Sequence, residues 1–184
     1  GGSGTDVLVI DNTIGVDTSN ATNFEGTVVG TTGTSGNDFV VGTSSNDTIG
    51  GGDGNDVASA GDGDDVLSGG DGIDGLVGGD GADTINGGNG IDILEGGAGG
   101  DAVQGWGGND TLDGGDGDDV VTGGAGDDLM HGNDGFDTAV FSGSVFDYSF
   151  EDGKGNATIA AGADGIDTLK HFEALRFDDY TYYI

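Results

Sequence analysis

Aspartate recurs at every ninth residue through the middle of this sequence, a spacing that could set many carboxylates in regular columns. A carboxylate binds hard divalent cations, and a strict repeat gives each carboxylate equivalent surroundings. The twelve members of the series are Asp38, Asp47, Asp56, Asp65, Asp74, Asp83, Asp92, Asp101, Asp110, Asp119, Asp128 and Asp137. The chemistry expected of such a series is the binding of several like cations rather than catalysis at one point.

These aspartates belong to a nine-residue repeat that divides residues 33–140 into twelve units without a gap. The units follow the pattern G-G-x-G-x-D-x-U-x, in which U is apolar. Position one is glycine except at Ala60, and position four is glycine except at Ser45. Position eight holds Val40, Ile49, Ala58, Leu67, Leu76, Ile85, Leu94, Val103, Leu112, Val121, Met130 and Ala139. Such agreement over twelve units indicates a repeat architecture rather than chance.

The composition is acidic and rich in glycine: 35 acidic residues face three basic ones, for a formal net charge of −32, with 45 glycines and no cysteine. This composition alone is typical of a disordered chain. The strict repeat favours order if something neutralises the carboxylates, and a metal ion is the expected agent where disulfides are absent. The charge excludes a nucleic-acid partner, because such binding needs clustered lysine or arginine. No apolar run is long enough for membrane insertion.

The pattern also predicts the elements that position the aspartates. We expect G-G-x-G-x-D to form a turn and x-U-x a short strand whose central side chain faces inward. Successive strands would lie on opposite walls, so that two units make one coil and twelve units make six. The predicted fold is all-β: a parallel β-roll, that is, a right-handed β-helix or solenoid of nonapeptide repeats, with a small β-rich C-terminal cap. Its two interior columns of apolar side chains are too thin for an ordinary core.

Stacked coils would set the aspartates in two columns, where like charges about 4.8 Å apart repel by roughly 0.9 to 3.5 kcal/mol per pair. We expect this repulsion to prevent the metal-free solenoid from forming. Calcium fits between the turns, because it takes about six to eight oxygen ligands in loose geometry and glycine turns expose carbonyl oxygens. Five gaps in each column of six aspartates predict roughly ten Ca2+ ions. Further ligands are predicted at positions one and three: Gly51, Asp53, Asp62, Gly69, Asp71, Gly78, Asp80, Gly87, Asn89, Gly96, Ala98, Gly105, Gly107, Gly114, Asp116, Gly123 and Ala125.

The repeat block separates two flanking segments, so that the predicted division of the chain is 1–32, 33–140 and 141–184. Within the N-terminal flank, residues 1–9 fit the nonapeptide once more and are interpreted as an outlying repeat. Residues 10–32 contain no repeat and could form a strand-rich insert, a cap or a linker. The sequence opens on Gly1 without a signal peptide, which suggests a fragment or a processed product.

The C-terminal segment has the composition of a closing element. Phe146–Phe150 alternates as a strand does, and Ala157–Ala161 could return beside it as a hairpin. Residues 162–170 repeat the nonapeptide, with Asp167 and Leu169 at positions six and eight. We expect a small packed face formed by Phe172, Leu175, Phe177 and Tyr180. A solenoid needs such a cap, because its last coil otherwise exposes an unpaired strand edge.

The chain resembles an RTX β-roll with its C-terminal capping region. The nonapeptide block carries the resemblance, together with the stretch DTAVFSGSVFDYSF and the later GIDTLKHFEALRF. The resemblance implies a secreted, extracellular protein of a Gram-negative bacterium that leaves the cell through a type I secretion apparatus. It further implies export in the unfolded state at low calcium, folding outside the cell, and a secretion signal near the C-terminus.

Several residues depart from the repeat. Thr43 and Ser45 replace glycines, so that weaker sites are expected at the N-terminal end; a positive φ at Ser45 would cost about 1 kcal/mol or more. Trp106 replaces the second glycine of its unit and could cover the neighbouring turn or stack against a sugar. His131 occupies an outward position and is expected to be solvated, and His171 is expected to have a structural role in the cap.

The sequence favours a non-catalytic module for calcium-dependent folding and secretion, part of a toxin, adhesin or hydrolase. It contains neither the HExxH metalloprotease motif nor the GxSxG nucleophile elbow, and we expect no enzymatic activity. Two alternatives stay open. One is a ligand-binding module for a polysaccharide, another glycan or cell-surface ligand, or ice, and the other is an accessory domain of a secreted enzyme such as an alginate epimerase or a lipase.

Overall fold

The structure is a computed structural model, which describes residues 27–29, 33, 35–152, 157–160 and 164–184. The predicted outlying repeat at 1–9 lies outside the described residues. Of the segment 10–32, the structure describes only the strand Thr27–Val29, which pairs in parallel with the first strand of the repeat block. The division of the chain into three segments stays a prediction.

Short strands account for most of the described residues, as the alternation around position eight predicts. In chain order they are β1 Thr27–Val29, β2 Phe39–Val41, β3 Thr48–Asp53, β4 Val57–Asp62, β5 Val66–Gly72, β6 Gly75–Asp80, β7 Thr84–Gly90, β8 Ile93–Ala98, β9 Ala102–Gly107, β10 Thr111–Asp116, β11 Val120–Ala125, β12 Leu129–Asp134, β13 Thr138–Val140, β14 Ser149–Asp152, β15 Ala157–Ala160, β16 Ile166–Lys170, β17 Ala174–Arg176 and β18 Thr181–Tyr183. A 3-10 helix at Val145–Asp147 lies between β13 and β14. The all-β class is confirmed.

The strands form two sheets, and successive strands of the repeat block alternate between them. The order in one sheet is β1-β2-β4-β6-β8-β10-β12-β16-β15-β14, and in the other β18-β17-β13-β11-β9-β7-β5-β3. Within the block all neighbours are parallel and lie eighteen residues apart, as Leu76 and Leu94 do. Because eighteen residues are two units, one coil contains two repeats. The predicted parallel β-solenoid of about six turns is confirmed.

Strands in the block are longer than predicted. β4 runs from position seven of one unit to position three of the next, and leaves only Gly63–Asp65 as the turn that follows. The ladder continues through the glycines, because Gly61 pairs with Gly79 of the next coil. The prediction that G-G-x-G-x-D is entirely turn was therefore wrong. Identical backbones stacked in parallel hydrogen-bond to one another even where the intrinsic strand preference is weak.

The core consists of the two predicted columns. All twelve position-eight side chains are at most 1% exposed, and they stack in register within each sheet. The position-one glycines from Gly51 onward, with Ala60 in one unit, also face inward and are buried. Each strand thus contributes one apolar side chain and one bare backbone segment to the interior.

The cap continues both sheets in register. β16 pairs in parallel with β12 and sets Leu169 beside Met130, while β17 pairs with β13 and sets Leu175 beside Ala139. The described part of the predicted thirteenth repeat, residues 164–170, therefore does extend the solenoid. Antiparallel β15 and β18 then occupy the next place in each sheet, so that the parallel stacking ends there.

Two details of the cap differ from expectation. The predicted strand Phe146–Phe150 begins only at Ser149, because Ser144 accepts the backbone N–H of Phe146 and starts the 3-10 turn. The hairpin of β14 and β15 does form. Tyr180 is 58% exposed and does not join the packed face of Phe172, Leu175 and Phe177. Its carbonyl accepts the N–H of Phe177, which places it in the turn between β17 and β18.

Aromatic rings close the cap over Phe177. Phe141 stacks on it with ring centroids 5.4 Å apart, and Tyr148 tilts against it at 5.0 Å. The Tyr148 hydroxyl donates to Asp164, 2.6 Å away, and burial raises the pKa of this phenol. Among the described residues, no helix is long and apolar enough to span a membrane.

Candidate metal centre

The aspartates at position six end each turn, directly before the next strand. All twelve are described, and all except the half-buried Asp47 are buried, with at most 5% of their surface exposed. Their backbone continues the ladder between coils: the Asp74 carbonyl accepts the N–H of Ile93 at 2.8 Å. Both predicted columns therefore exist, one along each edge of the solenoid.

From Asp56 to Asp137, one oxygen of each column carboxylate accepts a hydrogen bond from the preceding coil. Asp74 donates its backbone N–H to Oδ1 of Asp92 at 2.9 Å, and Asp92 donates to Oδ1 of Asp110 at 2.8 Å. The same hydrogen bond recurs along both columns, from Asp38 to Asp137. Since the acceptor is always the aspartate eighteen residues later, the ladder holds each carboxylate in one orientation and directs its second oxygen.

The second oxygen is buried without a hydrogen-bond partner in ten aspartates. They are Asp56, Asp65, Asp74, Asp83, Asp92, Asp101, Asp110, Asp119, Asp128 and Asp137. A buried carboxylate oxygen that lacks a partner is costly, and native structures contain few of them. Ten equivalent instances in two rows indicate that each oxygen has a partner that is not part of the chain, and a cation is the partner that suits a carboxylate.

A backbone carbonyl of the next coil lies close to six of these oxygens. A Cβ added to Gly69 would collide with Oδ2 of Asp74 and would lie 2.6 Å from the carbonyl oxygen of Gly87. The same pairing of carboxylate and carbonyl recurs at Asp56 and Gly69, Asp83 and Gly96, Asp92 and Gly105, Asp101 and Gly114, and Asp110 and Gly123. In these units position one is therefore glycine for space, since a side chain there would fill the gap between two oxygens.

The predicted ligands at position three differ from those at position one, because five of their carbonyls already accept hydrogen bonds between coils. The carbonyls of Asp71, Asp80, Ala98, Asp116 and Ala125 accept N–H groups of position-four glycines in the preceding coil at 2.7 to 2.8 Å. Each carbonyl keeps a second lone pair available for a cation. The side chains at this position point outward from the strand ends. The role of all position-three residues in binding metal stays a prediction.

The donor set suits calcium. Among the described residues, no group of three or more histidine, cysteine, aspartate or glutamate side chains could hold a metal ion by itself. Each gap instead combines carboxylate oxygen with backbone carbonyl oxygen, a hard and all-oxygen environment. Calcium accepts such ligands in irregular arrangements, whereas zinc and copper favour nitrogen and sulfur.

Burial dominates the electrostatics of the columns. It raises the pKa of Asp110 to about 6 and that of Asp119 to about 7, against the opposing effect of the N–H donated by the neighbouring aspartate. Charge repulsion from stacked neighbours such as Asp101 and Asp137 raises the pKa of Asp119 further, as a smaller contribution. The expectation that repulsion prevents the metal-free solenoid from forming stays a prediction, although repulsion is the smaller cause of these raised pKa values. Removal from water is the larger cost, and the shared N–H groups offset part of it.

The N-terminal end of the block differs from the rest for a reason the sequence did not show. Ser45 has no positive φ, so that the predicted strain is absent. Instead, Thr43 donates its N–H and its hydroxyl to Oδ2 of Asp47, at 2.6 and 2.9 Å. This oxygen thus has protein partners, whereas the second oxygens of the ten aspartates named above have none. Weaker calcium sites at this end stay a prediction. Their physical cause would be that Thr43 competes with a cation for Oδ2 of Asp47.

Trp106 and His131 lie on the outer faces of the two sheets. Trp106 has φ 76°, in the place of a positive-φ glycine, and its indole N–H donates to Asn86 of the adjacent strand at 3.4 Å. It lies beside β7 on the outer sheet face, and the prediction that it covers the neighbouring turn stays a prediction. The His131 side chain is only 28% exposed, 3.9 Å from Asp113, and burial lowers its pKa, so that it is less solvated than predicted.

The stacked parallel coils and the two rows of buried carboxylate oxygens define a calcium-binding repeat protein. The family model of the RTX calcium-binding nonapeptide repeat matches residues 32–67, 41–76, 68–103, 77–112 and 104–139, which together make up more than half of the chain. The chain belongs to this family, whose repeats bind calcium and are typical of secreted bacterial proteins. No curated protein matches it.

Proposed function

We propose that the chain is a non-catalytic module for calcium-dependent folding and secretion, part of an extracellular protein that a Gram-negative bacterium exports by the type I route. The observation that supports this most directly is the set of ten buried aspartate oxygens without partners. In the absence of calcium each is an uncompensated charge inside the fold. Calcium would convert the same ten positions from the main cost of folding into its main driving force.

The free energy available from calcium binding is large enough to switch the chain between unfolded and folded states. One ion for each such oxygen corresponds to about ten ions, which would bring the formal charge from −32 to roughly −12. At free calcium tenfold above the dissociation constant, each site contributes about 1.4 kcal/mol, and ten contribute about 14 kcal/mol. The net stability of a typical domain is about 5 to 15 kcal/mol. Calcium binding can therefore decide whether this module is folded.

This switch would serve export. A chain held unfolded by its own carboxylates at low cytosolic calcium can thread through the type I secretion apparatus, its proposed partner. It would then fold in the calcium-rich exterior. The larger protein that carries the module is proposed to be a toxin, an adhesin or a hydrolase.

The test is a calcium titration of the whole chain, monitored by far-UV circular dichroism and by isothermal titration calorimetry. We expect a cooperative gain of β structure with about ten ions bound per chain. Magnesium serves as the control ion, because it demands octahedral geometry that an irregular carbonyl site does not offer. Equal structure in chelator and in calcium would contradict the proposal.

A second candidate function, the binding of a neutral polysaccharide, is favoured by a groove beside Trp106. The groove has a volume of about 630 Å³ and lies on the outer face of β3, β5, β7 and β9. Its floor is a row of paired glycines, Gly52, Gly70 and Gly88, that ends at Trp106. Polar side chains, Asn86 among them, line its edges. An indole ring can stack on the apolar face of a sugar while amide and carboxylate groups bind its hydroxyls.

Glycan-array binding by the calcium-loaded chain tests this candidate. Trp106→Ala should abolish binding, whereas Trp106→Tyr should retain part of it, because tyrosine keeps an aromatic surface. Both variants should keep the calcium midpoint of folding within about twofold, which shows that the loss is not a folding defect. Unchanged glycan binding by Trp106→Ala would remove the case for the groove.

A further inference from the structure

The two aspartate columns do not end with the last unit of the repeat block. In one column, the N–H of Asp128 donates to Oδ1 of Asp167 at 3.0 Å, so that the thirteenth repeat supplies the next carboxylate. In the other, the N–H of Asp137 donates to Oε2 of Glu173 at 2.8 Å. Glu173 is 36 residues away from Asp137 and belongs to no recognisable nonapeptide. It nevertheless accepts the same hydrogen bond that the column aspartates from Asp56 to Asp137 accept.

The strand register explains this contact. Leu175 pairs with Ala139 and thereby takes position eight of a further unit, which puts Glu173 at position six. His171 follows directly on β16 and takes position one. A complete unit has four residues between these two positions, and here there is only Phe172. The segment 171–176 is thus a repeat whose turn is three residues shorter.

The backbone confirms the equivalence. The Asp137 carbonyl accepts the N–H groups of Glu173 and Ala174 at 3.1 and 3.0 Å, as the Asp119 carbonyl accepts that of Thr138 at 2.8 Å. His171 has φ 55°. A glutamate side chain is one methylene longer than that of aspartate, which lets its carboxylate reach the Asp137 N–H across the shortened turn.

The shortened repeat also rebuilds the gap between oxygens. A Cβ placed on Gly132 would lie 2.5 Å from Oδ2 of Asp137 and would collide with the carbonyl oxygen of His171. In the complete units the corresponding atoms are an aspartate Oδ2 and a position-one glycine carbonyl. Oδ2 of Asp137 is buried and lacks a partner, and Asp137 is 0% exposed. The cap therefore presents a carbonyl and a second carboxylate around this oxygen.

We propose that residues 171–173 complete a terminal calcium site, with ligands from Oδ2 of Asp137, the backbone carbonyl of His171 and the carboxylate of Glu173. This inference rests on the proposed calcium-dependent folding. It assigns Glu173 and His171 a role that the nonapeptide pattern does not reveal, and it makes one ion a direct link between the repeat block and the cap. Glu173 is half-buried, so that calcium can enter from solvent.

The experiment counts bound calcium on the whole chain by native mass spectrometry and by calorimetry. Glu173→Gln removes one charge and keeps an acceptor for the Asp137 N–H. The matched control is Glu95→Gln, the same change at an exposed outward position of β8. At the calcium concentration that just saturates the wild-type chain, Glu173→Gln should bind one ion fewer and Glu95→Gln the full number. An unchanged count and affinity in Glu173→Gln would overturn the inference.

A second variant distinguishes the loss of a calcium ligand from a folding defect. Glu173→Asp keeps the carboxylate but shortens its reach, so that it should bind the full number of ions with about tenfold weaker affinity at one site. If neither variant folds at saturating calcium, Glu173 has a purely structural role and the inference is overturned. If the wild-type chain itself binds no calcium, the proposed function fails. If the wild-type chain binds calcium and the Glu173 variants bind the same number of ions with the same affinity, the proposed function stands and the terminal site is refuted.

Discussion

At the scale of single residues, the ten aspartates from Asp56 to Asp137 each have two separate roles. In Asp92, Oδ1 accepts the N–H of Asp74, and Oδ2 lies buried and without a protein partner near the carbonyl of Gly105. The first oxygen holds adjacent coils in register, and the second is available to a cation. A substitution can therefore remove the structural contact, the ligand, or both.

Asp92→Ala should raise the calcium concentration at the folding midpoint more than Asp38→Ala. Asp92 lies in the middle of its column, where its loss disturbs the gaps on both sides, whereas Asp38 opens the column and borders only one. The expected cost at Asp92 is about 1 to 3 kcal/mol, that of a buried hydrogen-bonded group. The measurement is a calcium titration followed by circular dichroism.

Asp92→Asn is the control for this comparison, because its side-chain carbonyl can still accept the N–H of Asp74 while the amide nitrogen replaces the free oxygen. It should lose most of the calcium response that Asp92→Ala loses. Equal midpoints for Asp92→Ala and Asp38→Ala would count against stacked, shared sites.

Gly87→Ala should block one calcium site. The added Cβ would lie 2.5 Å from Oδ2 of Asp92 and 3.0 Å from the carbonyl oxygen of Gly105, where it fills the space between the two oxygens. Gly87 has no positive φ, so that crowding and not backbone strain is tested. We expect one ion fewer per chain and a higher calcium midpoint, measured by calorimetry.

Gly75→Ala is the matched control for this substitution. A Cβ at Gly75 would meet only a side-chain methyl of Val57, at 4.0 Å. The change should leave the ion count intact and stabilise the chain by up to about 1 kcal/mol, because alanine loses less backbone freedom on folding. A similar loss of calcium in both variants would refute the crowding argument.

At the scale of elements, the cap acts as the last template of the solenoid. β16 and β17 extend both sheets, and Asp167 and Glu173 continue the two columns. Among the described residues, the buried aromatic rings and the shortest ring-to-ring contact lie at this end. We therefore expect ordered structure to spread from the cap toward the N-terminal units, where Thr43 already occupies the oxygen of Asp47.

Ending the chain after Phe141 should abolish the calcium-induced folding transition. The truncation removes the strands that cover the last coil and leaves Asp128 and Asp137 without their acceptors. Circular dichroism over a calcium titration is the measurement. Ending the chain after Asp179 is the control, because it removes only β18 and should keep the transition. Normal folding of the shorter chain would show that the cap is dispensable.

At the scale of the whole molecule, burial is the largest cause of a raised pKa in ten of the described aspartates. Burial raises the pKa of several of them, to about 6 in Asp56 and Asp92 and about 7 in Asp167. A raised folded-state pKa means that the fold takes up protons more readily than the unfolded chain. The stability that protonation of these aspartates gives the folded chain is fully present below about pH 4, and it is lost as the pH rises through 6 to 7.

Two opposite pH effects follow for the protein with and without calcium. In chelator, acidification from pH 7.5 to pH 4.5 should increase β structure, because protons neutralise the buried carboxylates. In calcium, the folding midpoint should shift to higher calcium as the pH falls through 7 to 6, because protons compete for the same oxygens. Circular dichroism at several pH values measures both effects. Calcium midpoints that do not change between pH 7.5 and pH 5.5 would contradict the prediction.

The periodicity of the sequence was sufficient to predict the equivalence of residues eighteen apart, the two aspartate columns, the two apolar columns and the parallel all-β class. A repeat with one inward apolar residue can bury it only by stacking on copies of itself, so that spacing alone decides which residues lie above one another. For the same reason, Asp167 and Leu169 could be placed before the fold was known.

Only the tertiary structure decided what the backbone and each oxygen do. The strand continues through the glycines because the neighbouring coil offers matching hydrogen bonds, a contact between chain segments that no local preference reveals. The same holds for the free oxygen of Asp92 and for Thr43 at Asp47, since the direction of a side chain depends on its packed surroundings. Glu173 is the clearest instance: a turn shorter by three residues hides it from a nine-residue pattern, and only strand register brings it to Asp137.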